Sequence, residues 1–458
     1  MTSNTASIEF IGGFSSDTPH RGALASPRPL QTDAGEVKDA LIHIAVAQVL
    51  PDESGLHADE QAVDDGQAGL DKLEQWASAA ADKGADVVVF PEYFLSGATH
   101  ELWRRVREAQ RKGAGRAQQQ GGDVQGGGEE VDSKDAQKEA EGNEKAWIEV
   151  IIHVARKYDV DVAAGTVVEL GTQPHADILA DHPVSQIDTP APPVKSNDHD
   201  KIPHRPSKQA KVGSNAEDHE NELFNTSYYI SRHGQVLHRY TKQNLWHPER
   251  ETLLHSQQHT HPEQHTGSST FIIETKRGTR LRAAMAICWD LAWYSRFYQM
   301  IAPPYAAGQV SDLDKQGQAP GPDLIFAPTC WYASDGGPKA LLWNGVGEAQ
   351  MLDTLCLARA VELEAVLVMC NVSGPTLNAK AIEEVRSQLR EQHQKGVSDD
   401  ELETPLIGLG RSRICAPFLN VVAEVPDERE AMLLQSVDLN LLTDAREVYR
   451  MRYDHAQR

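Results

Sequence analysis

Residues 85–94 read ADVVVFPEYF. The apolar run from Asp86 to Phe90 suits a strand buried on both faces, and Pro91, which lacks an N–H, breaks it. Upstream, residues 69–84 (GLDKLEQWASAAADKG) place Leu70, Leu73, Trp76, Ala77 and Ala80 at helical spacing, with Gly84 as a stop. Before that, LIHIAVAQV (41–49) is a partly alternating strand. Downstream, KAWIEVIIHVARKYD (145–159) puts Trp147, Val150, Ile151 and Val154 on one helical face and leads into VDVAAGTVVE (160–169). Strand, helix, strand, helix, strand is the pattern of α/β layering. The rhythm resumes in LRAAMAIC (281–288), DLIFAP (323–328), a helical stretch over 343–364, AVLVMCN (365–371) and NVVAEV (420–425).

These segments spread along most of the chain, which reads as one interrupted domain, 39–458, behind a disordered tail, 1–38. The interruptions are polar or low in complexity and lie near 112–144, 172–220, 255–268, 303–320 and 376–405. Surface loops accept such insertions because closure entropy grows slowly with length.

Composition narrows the function. There are 44 Lys and Arg against 67 Asp and Glu, a formal charge of −23, which repels phosphate backbones and argues against nucleic acid as partner. No stretch approaches the ~20 apolar residues that cross a bilayer, and the N-terminus shows no secretory signal. Five cysteines, Cys288, Cys330, Cys356, Cys370 and Cys415, lie in or beside apolar runs. An odd number so placed suits reduced thiols, so the expected compartment is the cytoplasm.

Three ionisable residues fall just past predicted strand ends. Glu92 follows DVVVFP, and Cys288 follows LRAAMAI. Lys242 follows the second strand of ELFNTSYYISRHGQVLHRYTK (222–242), a strand pair turning at His233–Gly234. Reactive groups gather where strands give way to loops. An acid can take the proton of a thiol, and an ammonium can favour the thiolate and hold a developing oxyanion. The bland reading is that an apolar-flanked cysteine is an inert core residue. Cys330, in PTCW, also follows a strand and is the competing nucleophile, but no acid or lysine motif supports it.

The motifs around these positions resemble the nitrilase superfamily of carbon–nitrogen hydrolases. VVVFPEYFLSG (87–97) is similar to the segment that carries the family's catalytic glutamate, here Glu92. RYTKQNLWHPERE (239–251) is similar to the lysine segment, with Lys242, and AAMAICWDLAWYSRF (283–297) to the nucleophile segment, with Cys288. AAGTVVE, ELFNTSYYI, DLIFAPTCW, LARAVE and GRSRICAPFLNVVAEV supply further matches, and NLWHPERE and PTCWYASDGG resemble a fungal, amidase-like subgroup. The resemblance implies a four-layer α-β-β-α sandwich that assembles into homodimers or larger homo-oligomers. It implies a Glu–Lys–Cys hydrolase of amides or N-carbamoyl amines, working through a thioester and needing no cofactor or metal. It also implies a second glutamate beside the lysine, at the end of GTVVE, which is Glu169. The alternative for Glu169 is a solvated strand-end carboxylate.

Trp289, Tyr93 and Trp293 are expected to line a substrate pocket. The nucleophile segment lacks the Pro and Glu usual after its aromatic, and Leu363 stands where the family often has Asn, which leaves the substrate open. Cys288-Trp289-Asp290 favours amide over nitrile substrates, nitrilase activity being the alternative. A silent scaffold binding partners through its acidic inserts is the rival of another class. The histidines His247, His255, His259, His261 and His265 read as a solvated loop, since their spacing forms no closed zinc site.

Overall fold

The computed structural model describes residues 7–14, 31–32, 35–36, 40–51, 67–104, 147–171, 222–255, 270–298, 300–301, 321–375, 379–398 and 401–456. The predicted inserts at 112–144 and 172–220 lie outside these residues, as do 256–269 and 302–320.

Two sheets face one another. The seven-stranded sheet runs Phe10–Gly13, Ala431–Asp438, Leu41–Gln48, Val87–Val89, Asp161–Leu170, Leu223–Ile230, Val236–Thr241. The six-stranded sheet runs Asn420–Glu424, Arg413–Ala416, Val366–Asn371, Leu324–Thr329, Arg280–Met285, Thr270–Glu274. Each is mixed. Leu41–Gln48, Val87–Val89 and Asp161–Leu170 are mutually parallel in one, and Arg280–Met285, Leu324–Thr329 and Val366–Asn371 in the other. Flanking pairs are mostly antiparallel, including the expected hairpin of Leu223–Ile230 with Val236–Thr241, where Gly234 takes a positive φ of 72°.

The period of two in the sequence explains the layering. Along Leu41–Gln48, Ile42, Ile44 and Val46 enter the core shared with the second sheet. Ala45 and Ala47 turn the other way, onto the helices Gln67–Asp82 and Trp147–Tyr158. Val87 and Val89 face the second sheet and Val88 faces the helices. On the far side, Leu352, Cys356 and Ala360 of helix Gly347–Glu362 join the core of the six-stranded sheet. The result is helix, sheet, sheet, helix, as the fold class anticipated. The sheets approach closely enough that the Cys370 thiol lies 3.3 Å from both Ala47 O and Val89 O.

Three details differ from the sequence reading. Residues 10–13, assigned to a disordered tail, form an edge strand parallel to Met432–Gln435; FIGG is too short and glycine-rich to signal a strand. The polar insert near 376–405 contains a helix, Ala379–Gln394. The helical stretch 343–364 is the helix Gly347–Glu362, and a separate helix that the sequence reading did not assign, Gly337–Trp343, precedes it across the break at residues 344–346.

One glycine ties the strand register to the chain at Pro91. Gly165 has φ 67°, where L side chains are strained, and a Cβ there would meet Pro91 O at 2.1 Å. It sits where the pairing of Asp161–Leu170 with Leu223–Ile230 slips between Ala163 and Thr166. Gly165→Ala should therefore destabilise the protein by more than the about 1–2 kcal/mol of left-handed strain alone, read by denaturant unfolding. An unchanged midpoint would mean that the contact relaxes freely.

Candidate active site

Glu92, Lys242 and Cys288 come together at the seam between the sheets. Glu92 follows Val87–Val89 in the first sheet, yet its backbone N–H donates to Thr329 O of the second (3.3 Å). Lys242 follows Val236–Thr241, and its N–H donates to Asn225 O (2.9 Å). Cys288 comes just after Arg280–Met285, opening a short 3-10 turn to Ala292, with a positive φ of 44°. A non-glycine residue held there is strained, a feature concentrated at functional sites.

Lys242 is fully buried between two carboxylates. Its Nζ lies 2.7 Å from Glu92 Oε1, and 2.7 and 3.0 Å from Glu249 Oε1 and Oε2. Two more donors fix Glu92: Asn225 Nδ2 on Oε1 (2.8 Å) and the backbone N–H of Cys330 on Oε2 (2.9 Å). Glu249 accepts further from Trp246 N (2.6 Å) and the Tyr93 hydroxyl. The Cys288 thiol lies 4.0 Å from Cys330 O, whose own residue donates its backbone N–H to Glu92 Oε2.

The charges set each group's proton affinity. Burial pushes Glu92 up to about 7, against the pull of Lys242 and with a further push from Glu249. Burial works against charge on Lys242, but Glu249 and Glu92 outweigh it and hold the ammonium well above its ordinary value. Burial, then Glu92, push the Cys288 thiol well above the usual thiol range, Lys242 opposing. The resting cysteine is thus a thiol beside a carboxylate.

Asp290 clamps the nucleophile turn to the lysine segment. Its buried carboxylate accepts from Ile287 N (2.9 Å), Tyr240 OH (2.7 Å), Asn244 N (2.9 Å) and Asn244 Nδ2 (2.8 Å). Below it, Arg296 donates to Met285 O (2.6 Å) and stacks 4.3 Å from the Tyr240 ring centroid.

The remaining expected residues divide. Glu169 is buried but does not meet Lys242: it pairs with Arg239 Nη2 (2.6 Å) and Tyr228 OH (3.0 Å). This corrects its assignment as the orienting glutamate. On its strand, Glu169 pairs across to Phe224, while Lys242 lies beyond the end of the next strand. Glu249 holds the place instead, because Pro248 starts a 3-10 turn, Pro248–Glu251, that folds the chain back over Lys242. The signal was present in the HPERE that continues the lysine segment.

Trp289 packs against Trp246 (4.4 Å between centroids) and Trp331 (5.6 Å), an aromatic group next to Cys288. Tyr93 is buried, with its hydroxyl spent on Glu249, so it supports Glu249 rather than lining open space. Trp293 is 45% exposed, outside that group of rings. Cys330 contributes its backbone to Glu92, not a nucleophile with its own acid. His259, His261 and His265 lie outside the described residues.

Residues 44–176 match the model of the carbon-nitrogen hydrolase family. The matched stretch covers less than a third of the chain and agrees there with the carbon–nitrogen hydrolase resemblance read from the motifs. The match includes Glu92 and ends before Lys242 and Cys288. Among solved structures, Nit3 of Saccharomyces cerevisiae, of the nitrilase superfamily, aligns over 90% of this chain and 96% of its own, at 16% identity and TM-score 0.48. An amidase from Nesterenkonia sp. aligns over 91% and 98%, at 16% and 0.46, and the Caenorhabditis elegans NitFhit protein over 90% and 64%, at 14% and 0.46. At TM-scores under 0.5 these alignments carry no argument about chemistry. No curated protein sequence matches the chain. Among the described residues, no helix is long and apolar enough to cross a membrane and no acid, histidine and cysteine group could hold a metal.

Removing the ammonium would leave two buried carboxylates uncompensated. Lys242→Met should cost about 3–5 kcal/mol near pH 8. Glu92 already titrates near 7 with Lys242 present and would titrate higher without it, so the deficit should shrink as pH falls toward 5. Urea unfolding of both proteins at the two pH values measures this; a deficit independent of pH would contradict the charge account.

Proposed function

We propose that the protein is a cysteine-dependent hydrolase of non-peptide C–N bonds, acting on an amide or N-carbamoyl amine. The observation that carries this reading is the buried Glu92–Lys242–Glu249 ion cluster abutting the strained Cys288.

The chemistry follows from the charges. Glu92, ionised above about pH 7, takes the Cys288 proton as sulfur attacks the carbonyl carbon, so no free thiolate has to accumulate. The oxyanion develops toward the Lys242 ammonium and the backbone N–H of Trp289, donors already in place in a dry site. Protonated Glu92 then gives its proton to the departing nitrogen, the C–N bond breaks, and an acyl thioester remains on Cys288. Water replaces the amine, Glu92 takes its proton, and collapse of the second tetrahedral intermediate releases acid and thiol. A base titrating near 7 suits both proton transfers at neutral pH. Glu249 and Tyr93 keep Lys242 charged and aimed throughout.

Trp246, Trp289 and Trp331 pack together beside Cys288, an apolar aromatic surface that would suit an apolar or planar acyl group. Nitrile hydrolysis is the second reading. Asp290 is fully engaged by Ile287, Tyr240 and Asn244, so the acid after the Cys-Trp pair is a clamp and does not choose between the two.

Ammonia release from a panel of amides, N-carbamoyl amines and matched nitriles should be lost in Cys288→Ala and fall about 10²–10⁴-fold in Glu92→Gln. For the best compound, kcat/KM should drop about tenfold per pH unit below 7 and level off above, because the active form carries Glu92 ionised. Release that survives Cys288→Ala, or a profile flat down to pH 5, would overturn the mechanism.

A further inference from the structure

One buried polar group at the site has no part in the chemistry just described. Asn225 is fully buried in the central strand Leu223–Ile230 and touches two members of the site at once. Its backbone C=O accepts from Lys242 N (2.9 Å), and its Nδ2 donates to Glu92 Oε1 (2.8 Å). Its Oδ1, by contrast, has no hydrogen-bond partner. A buried acceptor left empty destabilises the fold, a cost that an apolar side chain of similar volume would avoid. What the amide supplies in return is the donor on Glu92.

We infer that Asn225 is a positioning residue that holds the general base Glu92 in its ionised, correctly aimed form. The inference rests on the reading of Glu92 and Cys288 as base and nucleophile. A neutral donor to the carboxylate favours the charged state without adding charge of its own. Around Glu92 lie Lys242 on one side and Glu249, Cys288, Cys330, Tyr93 and Asp335 on the others, so the site holds more acid than base. In such surroundings an uncharged donor restrains the upward drift of Glu92 while leaving Lys242 shared with Glu249. Because the same residue anchors the backbone of Lys242, base and ammonium keep a fixed separation.

The test needs no substrate. Iodoacetamide alkylation of the full chain is followed by peptide mass spectrometry at Cys288 from pH 5 to 9, with Cys356 and Cys370 as internal references. Wild type is compared with Asn225→Ala and Asn225→Leu, each checked by thermal unfolding. Loss of the donor should move the acid limb of Cys288 alkylation upward by about one pH unit while the alkaline plateau stays within about threefold. Asn225→Ala removes the donor without adding charge or bulk and keeps the question open to measurement should the leucine variant fail to fold. Superimposed acid limbs, or a fallen plateau with an unmoved limb, would overturn the positioning role. A wild-type Cys288 no more reactive than buried Cys356 and Cys370 would instead remove the nucleophile reading, and this inference with it.

Discussion

A lysine ammonium sealed between two carboxylates is the constraint on which the site depends. Desolvating three charges is costly, and their mutual attraction offsets that cost only when the geometry is tight and every remaining lone pair is used. Here it is: Glu92 is met by Lys242, Asn225 and the Cys330 backbone, and Glu249 by Lys242, Tyr93 and the Trp246 backbone. These partners come from both sheets. The Cys330 N–H thus ties Glu92 of the first sheet to the second, and the apolar core between the sheets keeps water away from the charges.

Burial first, and then the charge of that cluster, hold the cysteine as a thiol. Two acids and one ammonium leave an excess negative charge next to Cys288, so a thiolate is unfavourable until a carbonyl carbon is present to share the electrons. Burial, with Glu249 and against the pull of Lys242, also lifts Glu92 toward neutrality, where it can both accept and return a proton. The Asp290 clamp, bonded to Ile287, Tyr240 and Asn244, and the left-handed turn at Cys288 fix the backbone from which the sulfur projects.

Much of this was legible in the sequence, for identifiable reasons. The strands Val87–Val89, Arg280–Met285 and Leu324–Thr329 are short apolar runs flanked by turn residues, and the groups just past them converge because parallel strands end on one edge. Glu92 and Cys288 were found that way, and Lys242 past the second strand of the antiparallel hairpin Leu223–Ile230 and Val236–Thr241. Glu249 and Asn225 were not, because neither lies past the end of a strand that can be read from periodicity. Glu249 arrives through a turn that begins at Pro248, and Asn225 sits inside a strand whose residues are all buried, so nothing in the pattern distinguishes it from a packing residue. Glu169 was misassigned for the complementary reason. Its strand end is real, but an arginine and a tyrosine on neighbouring strands take its carboxylate, a contact that depends on sheet register rather than on local sequence. The edge strand Phe10–Gly13 escaped notice because its pairing partner lies more than four hundred residues away.

The central claim is that sulfur of Cys288 carries the acyl group between the two halves of the reaction. Acid quenching during turnover of the best amide, followed by peptide mass spectrometry, tests it most directly. The account predicts a mass increment equal to the acyl group on the Cys288 peptide, removable by hydroxylamine. Turnover with that peptide unmodified, or with the acyl group on Cys330, would contradict it.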